Sequence, residues 1–102
     1  MNGATEVVCI YFQEEEINEL FSDLLRAHGA RTRILSDISQ APQDTRVITE
    51  PQFFPQLNPS LWRRCLVVGN KESLKGIDTL CLSRPLTESK IEAALKNFLS
   101  LA

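Results

Sequence analysis

Glu6-Val7-Val8-Cys9-Ile10-Tyr11-Phe12, then Gln13-Glu14-Glu15-Glu16-Ile17, and after Gly29 the run Arg31-Thr32-Arg33-Ile34-Leu35, together decide the fold. The first run is short and almost continuously apolar, which suits a strand buried on both faces. The glutamates that follow open a helix, because carboxylates in a first turn are favoured by the positive end of the helix dipole. Ile17, Leu20, Phe21, Leu24, Leu25 and His28 recur at spacings of three and four, so one apolar stripe faces a core. Gly29 stands where a left-handed C-terminal cap is wanted. The third run is β-branched with polar residues interleaved, the pattern of an edge strand with one side in water. Strand, helix and strand over some thirty residues make a βαβ unit, which implies parallel strands joined by a right-handed crossover.

Outward from this unit the pattern continues. Thr45–Thr49 reads as a third strand, Cys65–Val68 as a fourth ending at Gly69-Asn70, and Ile77–Leu82 as a fifth. A second helix starts at Thr87 as N-cap, with Glu88 in its first turn and Ile91, Leu95, Phe98 and Leu99 as its buried stripe. Ser36–Gln43 is polar and contains Pro42. Prolines between Pro51 and Pro59 forbid a long regular element, although Phe53, Phe54, Leu57, Leu61 and Trp62 crowd there. The reading is a single α/β domain over residues 1–102.

Composition narrows the function classes. The chain has 102 residues, 43% hydrophobic and 24% charged, the balance of a globular domain and not of a disordered tail. Net charge is −2, and the arginines, from Arg26 to Arg84, form no basic stripe, so no nucleic-acid partner is expected. No apolar run is long enough to span a bilayer and no targeting segment opens the chain, so no direct membrane contact is expected. Cys9, Cys65 and Cys81 are odd in number, widely spaced and flanked by apolar residues, which fits buried thiols in a reducing cytoplasm. With His28 the sole histidine, a zinc cluster is hard to assemble, and neither metal nor cofactor is expected. Glu14, Glu15 and Glu16 cannot converge on one ion, since successive helical residues point about 100° apart.

The order of elements, the stretch Glu16–Gly29 as first helix with its terminating glycine, and Ser83-Arg84-Pro85-Leu86 after the last strand resemble a receiver domain of two-component signalling. The likeness implies a sheet ordered 2-1-3-4-5 with the first and last helices on one face. The segments that would supply the three middle helices, Ser36–Gln43, Pro51–Leu61 and Lys71–Lys75, are too short or too proline-broken, so the other face is expected under loops and the aromatics Phe53, Phe54 and Trp62. In that respect, and in Ala41-Pro42-Gln43-Asp44-Thr45-Arg46-Val47-Ile48-Thr49-Glu50, the chain resembles the α/β/loop domain between kinase core and receiver in Rcs-type hybrid sensor kinases. The resemblance implies a cytoplasmic module, including as part of an inner-membrane kinase, whose partners are the kinase core, receiver or phosphotransfer domains of one phosphorelay.

Against the receiver pattern, the chemistry is missing. Phe12 and Gln13 stand where two acidic residues would hold magnesium, Thr49 where the phosphate-accepting aspartate would be, with Glu50 beside it. Gly69 replaces a hydroxyl residue, and Arg84 a lysine. Aspartyl phosphate needs an aspartate nucleophile and a cation to offset the incoming charge, so no phosphotransfer and no enzyme activity are expected. Glu50 either mimics a phosphorylated aspartate or is simply solvated.

Non-catalytic interaction is the leading function, with Phe53, Phe54, Trp62 and Arg63 as a possible partner surface, since aromatics and arginine anchor interfaces. Most of these aromatics are expected to serve as core in place of the missing helices, with Trp62 the one partly exposed. Two alternatives stand beside it. One is a sugar-transport-type phosphocarrier using Cys9, disfavoured because Cys9 lies inside a strand ahead of three acidic residues that would repel an anion. The other is a stand-alone pseudo-receiver adaptor.

Overall fold

A computed structural model describes residues 7–42, 45–69, 79–83 and 86–100. Five strands, β1 (Val7–Tyr11), β2 (Arg31–Ile34), β3 (Arg46–Thr49), β4 (Cys65–Val68) and β5 (Leu80–Leu82), form one parallel sheet in the order β2-β1-β3-β4-β5. The α-helices among the described residues are α1 (Glu15–Ala27) and α2 (Glu88–Leu99). No helix among the described residues is long and apolar enough to cross a membrane. The expected α/β architecture and strand order are what the chain adopts.

β1 and β3 are central, so side chains on both their faces are covered: Val8, Cys9, Ile10, Val47 and Ile48 are all inaccessible to solvent. Alternation of side chains along each strand divides the interior in two. On one side Val8, Ile10, Ile48, Leu66 and Val68 meet Phe21 and Leu25 of α1 and Leu95 and Phe98 of α2. On the other, Cys9, Val47, Cys65 and Val67 lie under Leu35, Ile38, Phe54, Leu57 and Leu61. Among the described residues this second layer has no α-helix. Three short 3-10 segments cover it: Ile38–Gln40, Phe54–Gln56 and Pro59–Arg64. Asp37 and Asn58 start two of them by accepting the N–H groups of Ser39 and Ser60 at 3.0 Å each. The middle helices, expected to be shortened or replaced by loops, are tight 3-10 turns in Ser36–Gln43 and Pro51–Leu61, and Lys71–Lys75 lies outside the described residues. Small sheet residues (two cysteines and two valines) leave room for these turns to lie close against the strands.

α1 ends as its glycine requires. Gly29 has φ +84°, and the N–H groups of Gly29 and Ala30 return to the carbonyls of Arg26 and Leu25 at 3.0 Å, a Schellman closure. The buried face of α1 differs from the expected stripe. It consists of Asn18, Phe21, Ser22 and Leu25, with Ile17 and Leu24 at its margin, while Leu20 turns outward and is 43% exposed. The helix is rotated because Asn18 and Ser22 find polar partners inside: the Phe12 backbone and the Thr32 hydroxyl. α2 begins at Thr87, whose hydroxyl accepts the Lys90 N–H, and buries Leu95 and Phe98 as expected. At the other end of α2, the guanidinium of Arg46, 7% exposed, donates to the Phe98 carbonyl at 3.0 Å. The strand expected over Ile77–Leu82 is seen over Leu80–Leu82; Thr79 precedes it, and Ile77 and Asp78 lie outside the described residues.

Candidate functional site

In an open parallel sheet, ligands favour the carboxyl ends of strands where the chain leaves two neighbours in opposite directions. Here that point lies between β1, whose chain continues into α1 on one face, and β3, whose chain continues into the 3-10 layer on the other. Phe12, Gln13, Thr49, Glu50 and Gly69 come together at this end, as the sequence reading requires. Arg84 lies outside the described residues.

The polar groups described at the mouth are largely bonded to one another. Phe12 is buried and stacks on Phe21 with ring centroids 5.1 Å apart, and its N–H donates to Asn18 Oδ1 at 2.7 Å. Asn18 Nδ2 returns a bond to the Phe12 carbonyl at 3.3 Å, so one side chain clasps both backbone groups where a receiver would hold its metal ligands. Thr49 is fully buried, and its hydroxyl donates to the Tyr11 carbonyl at 2.7 Å. Glu50 is neither a free charge nor merely solvated. Its carboxylate accepts the Gln13 N–H at 2.7 Å, and its own carbonyl accepts the N–H groups of Phe53 and Phe54. Gln52 Nε2 donates to Gln13 Oε1 at 3.3 Å and extends the bridge between the two loops.

Pro51 closes the β4 side. Gly69 has φ +152°, and a Cβ placed on it would stand 2.7 Å from Pro51 Cδ and 2.8 Å from Pro51 Cγ. Glycine is needed here both for its conformation and for the approach of the proline ring. The mouth is therefore packed, internally hydrogen-bonded and lined by the Glu50 carboxylate, with the exposed Glu14, Glu15 and Glu16 following Gln13. Among the described residues such surroundings oppose an anion, and the Gln13 N–H already has an acceptor.

Among the described residues, no three His, Cys, Asp or Glu side chains cluster as metal ligands would. Cys9 is wholly buried, and burial raises its pKa, only partly countered by the Thr45 hydroxyl and the Arg33 charge. That withdraws support from Cys9 as a phosphoryl acceptor, which would need an accessible thiolate. Cys65 is also buried, and burial lifts its pKa further above the thiol range, with Cys81 adding to the rise. Cys81 is only partly covered.

The aromatic layer separates into core and surface. Phe54 is fully buried and stacks on Trp62, centroids 4.9 Å apart, so it cannot contribute to a partner surface; its ring fills the space a helix would have filled. Phe53 meets Tyr11 edge-on at 4.7 Å and is half-buried. Trp62 is half-buried too, its indole N–H donating to the Leu57 carbonyl at 3.2 Å, and Arg63 is exposed. The candidate surface therefore shrinks to Phe53, Trp62 and Arg63. Asn18, Pro51 and Arg46 do structural work that the sequence reading missed. The only local signal was a polar residue on the buried side of α1, visible once the rotation of that helix is known.

Neither a family model, a curated protein nor a solved structure matches this chain.

Proposed function

We propose that this domain is a non-catalytic, pseudo-receiver-like interaction and spacer module of a two-component phosphorelay. It works in the cytoplasm, within a hybrid sensor kinase, to position the kinase core, receiver and phosphotransfer domains. The observation that carries the reading is the self-satisfied mouth of the sheet. With the Glu50 carboxylate bound to the Gln13 N–H, Thr49 bound to Tyr11 and Phe12 clasped by Asn18, the receiver-like frame has kept its shape without a phosphate acceptor. Function then falls to surfaces, and Phe53, Trp62 and Arg63 offer aromatic area beside a cation.

Amide chemical shifts test this in two stages. Magnesium with beryllofluoride, a stable mimic of aspartyl phosphate, should move nothing. Isolated kinase-core and receiver domains should then shift amides around Phe53, Trp62 and Arg63, and Trp62→Ala should weaken that binding while the domain stays folded. Localised beryllofluoride shifts at Thr49, Glu50 and Gly69 would refute the loss of phosphorylation. A folded Trp62→Ala protein that binds every partner normally would refute the surface.

A further inference from the structure

β2 ends the sheet, and among the described residues no strand pairs with its outer side. Leu35 donates its N–H to the Ile10 carbonyl at 3.0 Å, so the alternate residues Thr32 and Ile34 aim their backbone N–H and C=O groups away from β1. Parallel register sets the side chains. Arg33 lies opposite Cys9, and Arg31 opposite Val7, which places both arginines on the 3-10 side of the sheet. Thr32 and Ile34 take the helix side, where Thr32 meets Ser22 at 2.7 Å and Ile34 is left 43% exposed. Arg31 and Arg33 are exposed and have no acidic partner among the described residues.

Charged side chains commonly blunt a sheet edge against self-association. This edge is charged with one sign only and keeps a large apolar side chain between its open backbone groups. Two β2 strands meeting antiparallel about a two-fold axis would set four arginines on one face, which disfavours a second copy. The same arrangement favours a strand that brings carboxylates, since the planar guanidinium fork matches them in pairs.

We propose that the β2 edge is a docking site for an extended segment of an acidic partner, added to the sheet as a sixth strand. Its alternate side chains are acidic toward Arg31 and Arg33 and apolar toward Ile34, and its backbone pairs with Thr32 and Ile34. The proposal does not depend on the phosphorelay reading.

A capped peptide alternating glutamate and valine, a scrambled peptide of the same composition and an alternating lysine–valine peptide provide the test against isotope-labelled protein. The glutamate–valine peptide should give saturable amide shifts confined to residues 31–35. It should also slow hydrogen exchange at Thr32 and Ile34, the amides that gain acceptors. Arg31→Glu with Arg33→Glu should weaken binding at least tenfold, while Arg31→Lys with Arg33→Lys, which keeps the charge, should weaken it less. Equal binding of the scrambled peptide, unchanged exchange at Thr32 and Ile34, or unaltered affinity in a folded glutamate variant would overturn the proposal. Edge shifts that grow with protein concentration alone would overturn it too, by making a second copy the occupant.

Discussion

Gly69→Ala isolates the closure at the mouth. Two costs add. A non-glycine residue held at φ +152° occupies a sparsely populated region, worth about 1–3 kcal/mol. The new methyl also overlaps the Pro51 ring at 2.7–2.8 Å, an overpacking worth about 1–3 kcal/mol. Gly29→Ala is the matched control: its φ is +84°, yet nothing lies within 4 Å of the added Cβ, so it carries only a conformational cost of about 1–2 kcal/mol. Urea denaturation, with a slope of roughly 1–3 kcal/mol per molar for a small domain, would register Gly69→Ala as a midpoint lower by about 1 M or more. Gly29→Ala should shift it by clearly less. Pro51→Ala removes the two ring atoms in question, so the double variant Pro51→Ala with Gly69→Ala should be more stable than the two separate losses would sum to. If Gly69→Ala costs no more than Gly29→Ala, or if the double variant is simply additive, the packing of Pro51 against Gly69 does not hold the mouth closed.

Asn18→Ala strips both backbone groups of Phe12 of their partner and should cost about 2–3 kcal/mol, read from the same urea transition. Leu20→Lys, by contrast, should change stability by no more than about 0.5 kcal/mol, because Leu20 faces solvent; a large loss would mean that α1 is rotated as its sequence stripe implies. A thiol reagent should label Cys81 before Cys9 or Cys65, as followed by mass spectrometry of the folded protein. The buried thiols of Cys9 and Cys65 have raised pKa values, so above the ordinary thiol value of 9.0 the unfolded chain releases protons that the folded one keeps. Their contribution to stability is therefore intact below pH 9 and falls as pH rises, with the slope from Cys65 approaching about 1.4 kcal/mol per pH unit. Cys65→Ala should flatten the decline between pH 9 and pH 10, and an unchanged slope would refute the assignment.

The βαβ unit was legible because each of its parts signals within a few residues: an apolar run, a glutamate-rich first turn and Gly29. The covering of the second face was legible in outline, since the prolines at Pro51, Pro55 and Pro59 exclude long helices. That the cover would be 3-10 turns begun by Asp37 and Asn58 was not read, because such turns lack a periodic apolar pattern. The rotation of α1 was hidden for a related reason. Asn18 and Ser22 count as surface residues until their partners, Phe12 and Thr32, are known. At the mouth, identities were readable but roles were not: Gln13 and Glu50 are separated by 37 positions, and nothing near either residue announces the bond between them. Pro51 and Gly69 meet across the same fold and are equally silent in sequence.

The bond from Arg46 to the Phe98 carbonyl bears on how the domain is made during translation. Leu95 and Phe98 supply the α2 half of the cover over Ile48, Leu66 and Val68, and Arg46 reaches the Phe98 carbonyl only when the last turn of that helix is present. A ribosome that has delivered all five strands therefore still holds a nascent chain with one side of its sheet half bare and the bond from Arg46 to Phe98 not yet made. The 3-10 side, built from residues no later than Cys81, can close earlier. Synthesis would thus complete the two cores in sequence, and the interval between them is the period in which a chaperone would find apolar sheet to hold.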